Sequence, residues 1–288
     1  MLTVADHDRN ATGMRYVYAV VSRRARGVSV GINLNPNQAC NWRCIYCQVP
    51  GLTRGQGPEI DLALLEEELR RLLGEIRGGD FLHRRVPEGA RRLDDVAFSG
   101  NGEPTTSPQF EEAVDRVGRV LRERGEIGAI RLILITNGSR VMREPVRRGL
   151  EKLAALGGET WFKLDSATLE GASRIQSVRL DPQRHLARLR LTARLCPTWI
   201  QTCLFAWKGA PPSAAERTAY LDALRALARD RVPLKGVLLY GPARRIHQPE
   251  SDSISALPQA WLCQLAREIE ATGVAVQLAE DPSGTPGA

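Results

Sequence analysis

The chain has 288 residues, 43% of them hydrophobic and 25% charged, a balance that supports a sizeable core in one large or two small domains. No apolar run approaches the roughly 20 residues that span a bilayer, and the opening TVADHDRNATG is polar. Neither a membrane helix nor a secretory leader is therefore expected, and the cytoplasm is the expected location. The net charge of +7 suits an anionic partner, but arginines paired within helical patterns (Arg70 and Arg71, Arg147 and Arg148) equally suit solvated helix faces.

In chain order, VSVGINL at 28–34 reads as a strand. Asp61 then caps a helix in which Leu62, Leu65, Leu69, Leu72 and Ile76 recur at helical spacing. DDVAFSG (94–100) is a second strand, and Ser107 with Pro108 opens a helix carrying Phe110, Val114, Val117 and Leu121. RLILITNG (131–138) is the third strand, followed by the helical VMREPVRRGLEKLAAL. WFKLDS (161–166) and WIQTCLFAW (199–207) are the fourth and fifth. Ser213 with Glu216 makes a capping box for the next helix, PLKGVLLYG (233–241) is the sixth strand, and a last helix from Leu257 precedes VAVQL. Strands that are near-continuous apolar runs, separated by helices, predict a parallel α/β sheet buried on both faces. A doubly wound sheet and a closed or partly closed barrel both satisfy the pattern. Residues 1–27 read as an N-terminal extension, 28–278 as the core and 279–288 as a disordered tail.

The unusual residues gather just after the predicted strands, at the end where α/β enzymes keep their chemistry. CNWRCIYC at 40–47 holds three of the six cysteines. A disulfide framework does not suit this chain, and Asn41, Trp42 and Arg43 break the periodicity that core packing needs. A structural zinc needs a fourth ligand from far away, and that alternative stays open. An iron–sulfur cluster fits better, because one short loop can wrap several corners of a cubane, and three thiolates leave one iron open for a ligand. GNGEP (101–104 with Gly100) joins flexible glycines to Glu103, a carboxylate suited to an ammonium. Lys163 and Asp165 fall on one side of a strand by two-residue alternation. Cys196, Cys203 and Cys263 are scattered and read as core or surface thiols, and the four histidines show no ligand spacing. Arg23, Arg24 and Arg26, with Arg244 and Arg245, form a candidate anion site, with surface solvation as the alternative.

The three-cysteine spacing, the aromatic Tyr46 before the third cysteine, FSGNGEPT after the second strand, TNG after the third and KLD in the fourth together resemble the radical S-adenosylmethionine (radical SAM) superfamily. The resemblance implies a partial (β/α)6 radical SAM barrel with a [4Fe-4S] cluster held by Cys40, Cys44 and Cys47. It implies S-adenosylmethionine as the second cofactor, with Tyr46, Gly100, Gly102, Glu103, Thr136, Asn137, Lys163 and Asp165 as its candidate contacts. An electron donor such as flavodoxin or ferredoxin is the implied partner. Within the superfamily, SRRARGVSVGINLNPNQACNWRCIYCQ and LLYGPAR are most similar to the wyosine-synthase-like group and its bacterial relatives. Residues 1–39 lack that group's upstream cysteines and lysine. The implied substrate is an RNA nucleoside, with a glycyl-radical activase or a small-metabolite enzyme as the alternative. The rival of another class is a zinc- or cluster-bearing RNA-binding scaffold.

Overall fold

The apolar segments form one eight-stranded sheet in the computed structural model, which describes residues 2, 12–22, 27–242 and 244–279. Its strands are β1 (Val17–Val21), β2 (Val28–Ile32), β3 (Leu93–Phe98), β4 (Arg131–Thr136), β5 (Glu159–Lys163), β6 (Thr198–Cys203), β7 (Leu234–Tyr240) and β8 (Val276–Leu278). They lie side by side in chain order. All neighbours from β2 to β8 are parallel, and only β1 pairs antiparallel, on β2.

That order decides between the two architectures. A doubly wound sheet reverses its strand order at a switch point and so places helices on both faces. Here each right-handed crossover steps the same way, so the helices share one face and the sheet curls around the other. β1 and β8 do not pair, which leaves the barrel open.

The crossover helices are α1 (Leu62–Gly78), α2 (Phe110–Glu123), α3 (Glu144–Ala155), α4 (Leu169–Gln176), α5 (Pro182–Leu195), α6 (Ala214–Arg229) and α7 (Gln259–Glu270). The Asp61 carboxylate accepts from the Ala63 and Leu64 amides, and Ser213 with Glu216 completes its reciprocal box. Leu65, Leu69, Leu72 and Leu73 of α1 pack with Phe98, Phe110, Val114 and Val117 in the outer core, and α6 and α7 supply Leu224, Leu227 and Leu265 to a second outer core. Strand alternation sends Phe162 to that outer layer and Trp161 inward, where it meets Ala97, Ile133 and Leu238 as an apolar plug. Above the plug, Lys163, Gln201, Cys203 and Tyr240 line a cavity at the C-terminal rim.

Several boundaries differ from the sequence reading. α2 starts at Phe110 rather than at Ser107, because Pro104–Thr106 first makes a short turn capped by the Glu103 side chain. β6 stops at Cys203, and Ala206–Trp207 turns away to pair with Ile254–Ser255. β5 ends at Lys163, since Asp165 leaves the sheet to accept from the Cys203 amide. β1 joins the sheet from within the segment read as an N-terminal extension. Arg23, Arg24 and Arg26 of the candidate anion site, and the tail beyond Ala279, lie outside the described residues. Arg244 donates to the Val21 carbonyl and Arg245 is exposed.

Candidate functional site

The loop between β2 and α1 carries CNWRCIYC, and each residue between its cysteines has a fixing role. Asn41 accepts from the Asn137 amide nitrogen at 2.9 Å and donates to Ser139 Oγ at 2.6 Å. Trp42 is buried against Ala172 and Leu180, with the His185 ring 5.6 Å away. Arg43 makes a two-pronged ion pair with Glu250 at 2.7 and 2.8 Å. The backbone amides of Arg43 and Ile45 donate to the carbonyls of Gln176 and Ile175 at the end of α4. Ile45 and Tyr46 are buried with Ile175, Cys203 and Phe205. This arrangement leaves the three half-buried cysteines on the wall of the rim cavity.

The opposite wall is the GNGEP loop after β3. Gly100 has φ of +141°, which favours glycine, and a Cβ there would lie 2.5 Å from Asn33 Oδ1. A Cβ on Gly102 would lie 2.1 Å from the Ala39 carbonyl oxygen. The close approach that these glycines permit is thus to the base of the cysteine loop itself. Asn33 accepts from the Asn35 and Asn101 amides, and Asn35 donates to Ala39 O and Thr106 Oγ1. Two asparagines missed by the sequence reading therefore join the two loops.

Glu103 is 3% exposed, and its carboxylate accepts four hydrogen bonds. The donors are Thr105 N at 3.2 Å, Thr105 Oγ1 at 2.6 Å, Thr136 Oγ1 at 2.6 Å and Asn137 N at 2.6 Å. Burial raises its pKa against the pull of these donors. Thr136 and Asn137, at the end of β4, are thereby tied to Glu103, and Asn137 continues to Asn41. Cysteine loop, GNGEP and TNGS form one hydrogen-bonded unit.

Lys163 and Asp165 meet through a third group: Lys163 Nζ donates to the Tyr46 hydroxyl at 2.6 Å, and that hydroxyl donates to Asp165 Oδ2 at 2.5 Å. Of the residues read as cluster ligands or S-adenosylmethionine contacts, Asp165 alone does not line the rim cavity. Arg244 of the candidate anion site lines it too, as do Tyr18, Gln201 and Tyr240, three residues not anticipated from the sequence. These three come from three different strands, so only sheet register brings them together; their inward alternation is the one signal the sequence carries. Cys203 also lines the cavity, Cys196 is buried at the far end of β6 with its thiol on the Gly158 carbonyl, and Cys263 lies on α7. Exposed His247 meets the loop only through its amide, on the Cys47 carbonyl.

Burial pushes the Cys40 thiol up to about 11 and raises that of Cys44 too, so a group that takes them as thiolates must displace their protons. Among the described residues, no group of three or more His, Cys, Asp or Glu is placed to hold a metal ion. Three thiols spread around one wall suit a cluster instead, in which each thiolate takes its own iron.

An open, sequentially ordered α/β barrel with a cysteine loop at its C-terminal rim is the class that fold and site define. Residues 34–170 match the family described as the radical SAM superfamily, a match that supports a radical SAM protein. Enzymes of this family use a [4Fe-4S] cluster and S-adenosylmethionine. Over 161 residues the chain is 28% identical to UPF0026 protein MJ1312 of Methanocaldococcus jannaschii, covering 53% of this chain and 41% of that one. The chain spans less than half the length of the curated relatives it matches. Among solved structures, TYW1 with a lysine-pyruvate adduct bound shares 17% identity at a TM-score of 0.53, covering 93% of this chain and 80% of that one. A radical SAM methyltransferase from Sphaerobacter thermophilus shares 16% at 0.57, covering 90% and 67%. At these identities the two structures support the fold alone. No helix among the described residues is long and apolar enough to cross a membrane.

Gly102→Ala tests the coupling of the two loops. The clash is with backbone, which cannot rotate away, so we expect a loss of about 1–3 kcal/mol in urea unfolding. Gly89→Ala, whose Cβ meets nothing within 4 Å, is the near-neutral control.

Proposed function

We propose that the chain is an enzyme in which Cys40, Cys44 and Cys47 hold a [4Fe-4S] cluster and the facing wall of the rim cavity binds S-adenosylmethionine. When bound, the cluster supplies the electron that cleaves the sulfonium to methionine and a 5′-deoxyadenosyl radical, which takes hydrogen from a substrate. The observation that carries this reading is the single cavity with three thiols on one wall and Gly100, Gly102, Glu103, Thr136, Asn137 and Lys163 on the others. A scaffold that only needed its cysteines would have no use for that convergence.

The chain's own residues bind, orient and exclude water. The GNGEP and TNGS loops present backbone and side-chain polar groups to a ligand's amino and carboxylate ends. The Glu103 carboxylate already has four donors from the protein, so it holds the loop shape and offers its remaining acceptor capacity to an ammonium. Tyr18, Gln201 and Tyr240 form a mixed aromatic and polar floor for the substrate. Reduction is assigned to an external carrier such as flavodoxin or ferredoxin. A nucleoside in RNA is the substrate reading supported by the net charge of +7 and by similarity to the wyosine-type group.

The test is anaerobic: protein reconstituted with iron and sulfide is reduced with dithionite, given S-adenosylmethionine, and assayed for 5′-deoxyadenosine. The proposal expects deoxyadenosine above the no-protein control, and an increase when total tRNA is added. A fully loaded, reducible protein that yields none defeats it, and a yield indifferent to tRNA defeats only the RNA reading.

A further inference from the structure

Tyr46 stands one residue before Cys47, yet its side chain leaves the cysteine wall and enters the barrel, where it is 7% exposed. Its ring packs on Phe205 at 5.8 Å, and the Lys163 ammonium lies 4.7 Å from its centroid. Its hydroxyl accepts from Lys163 and donates to Asp165. Asp165 is itself fixed by the Cys203 amide at 2.9 Å and by Gln176 Nε2 at 3.2 Å. The Gln176 carbonyl takes the Arg43 amide at 3.1 Å, so the network leaves the cysteine loop at Tyr46 and returns to it at Arg43. Lys163 also reaches the Tyr240 hydroxyl at 3.5 Å.

The surroundings give this cation weight. Cys44 packs with Ile45, Tyr46, Ile175, Cys203 and Phe205, an apolar group on one side of the cavity. Beside such a group a charge acts more strongly than at the open surface. Lys163 lines the same cavity as the three cysteines and stands against the ring of Tyr46, the residue between Ile45 and Cys47. One-electron reduction of a cluster adds a negative charge, which a fixed cation nearby stabilises.

We propose that Lys163, held in place by Tyr46 and Asp165, is a positioning residue that sets the reduction potential of the cluster on the cysteine loop, raising it relative to the same loop without the cation. This rests on the reading above that Cys40, Cys44 and Cys47 hold a cluster. The step it governs is a single electron transfer from the external reductant, with no bond made or broken.

Lys163→Met, Lys163→Arg and Tyr46→Phe are reconstituted anaerobically beside the parent protein, assayed for iron, and titrated in the presence of mediators, with the reduced cluster followed by electron paramagnetic resonance. Lys163→Met is expected to load iron and to titrate lower by at least a tenfold change in the one-electron equilibrium, about 59 mV. Tyr46→Phe, which keeps the ring but frees the ammonium, moves the midpoint the same way by less, and Lys163→Arg stays near the parent. Iron-loaded Lys163→Met or Tyr46→Phe with the parent midpoint overturns the proposal, since a merely structural role would change loading and leave the potential alone. If Lys163→Met loads poorly, Tyr46→Phe alone decides by the same criterion. A parent chain that takes up no iron defeats the cluster reading itself, a result distinct from an unshifted midpoint.

Discussion

Replacing Cys40, Cys44 or Cys47 by alanine is expected to abolish both iron loading and cleavage of S-adenosylmethionine, and Cys263→Ser to leave both at the parent level. Loss of an outer partner of a metal ligand typically lowers affinity or activity by about 10–100-fold, and loss of a thiolate itself should exceed that range. The fold should survive each change, because the three side chains are half-buried on a cavity wall while the loop is held by its neighbours. Far-ultraviolet circular dichroism checks that survival, and iron content with deoxyadenosine yield gives the outcome. Asn41→Ala, which removes the brace to Ser139 and Asn137, should fall in the intermediate range of an outer partner. Cleavage at the parent rate by the Cys44→Ala protein would contradict the assignment.

Glu103→Ala has the second large effect, and it shows in the protein without any cofactor. The carboxylate is the shared acceptor for Thr105, Thr136 and Asn137, and its removal strands buried donors on two loops at once. An unsatisfied buried donor costs about 1–3 kcal/mol, and the hydroxyls can turn to other partners, so we expect a loss of about 2–4 kcal/mol in urea unfolding. Binding of S-adenosylmethionine should fall with it. If the carboxylate served only a ligand's ammonium, the cofactor-free protein would unfold at the parent denaturant concentration; that outcome would refute the clamp described here.

Much of the site was legible because its chemistry is local in sequence. Three thiols in eight residues, a glycine-rich turn ending in Glu-Pro, and TNG each carry their meaning within a few positions, and strand spacing carries them all to one rim. The cavity floor was not legible in the same way. Tyr18, Gln201 and Tyr240 are ordinary residues in apolar strands, and nothing short of register says that they face one another. β1 falls in YVYAVV, a β-branched and aromatic run inside the stretch that reads as an N-terminal extension, where no helix follows to mark it as one more strand of the alternating pattern. Asparagines 33 and 35 looked like turn formers before the cysteine loop, and their side chains prove to be the struts between that loop and GNGEP. Alternation puts Lys163 and Asp165 on one side of a strand, whereas β5 ends at Lys163 and Asp165 leaves the sheet; the partner that joins them, Tyr46, is more than a hundred residues away, where alternation has no reach.

The choice between barrel and doubly wound sheet shows the same limit. Alternating strands and helices fix the parallel sheet, whereas strand order depends on which way each crossover steps. The sequential parallel order from β2 to β8 turns their C-terminal ends towards one mouth, and that is what allows loops from three different strands to share hydrogen bonds around three cysteines.

The most direct test of the central claim is the metal itself. After anaerobic reconstitution and desalting, iron, acid-labile sulfide and zinc are counted on the parent protein, and the dithionite-reduced sample is examined by electron paramagnetic resonance with and without S-adenosylmethionine. The account predicts about four irons and four sulfides per chain, as a cubane requires, and a signal that changes when S-adenosylmethionine is added. One zinc per chain, or a cluster whose signal is indifferent to S-adenosylmethionine, would contradict it.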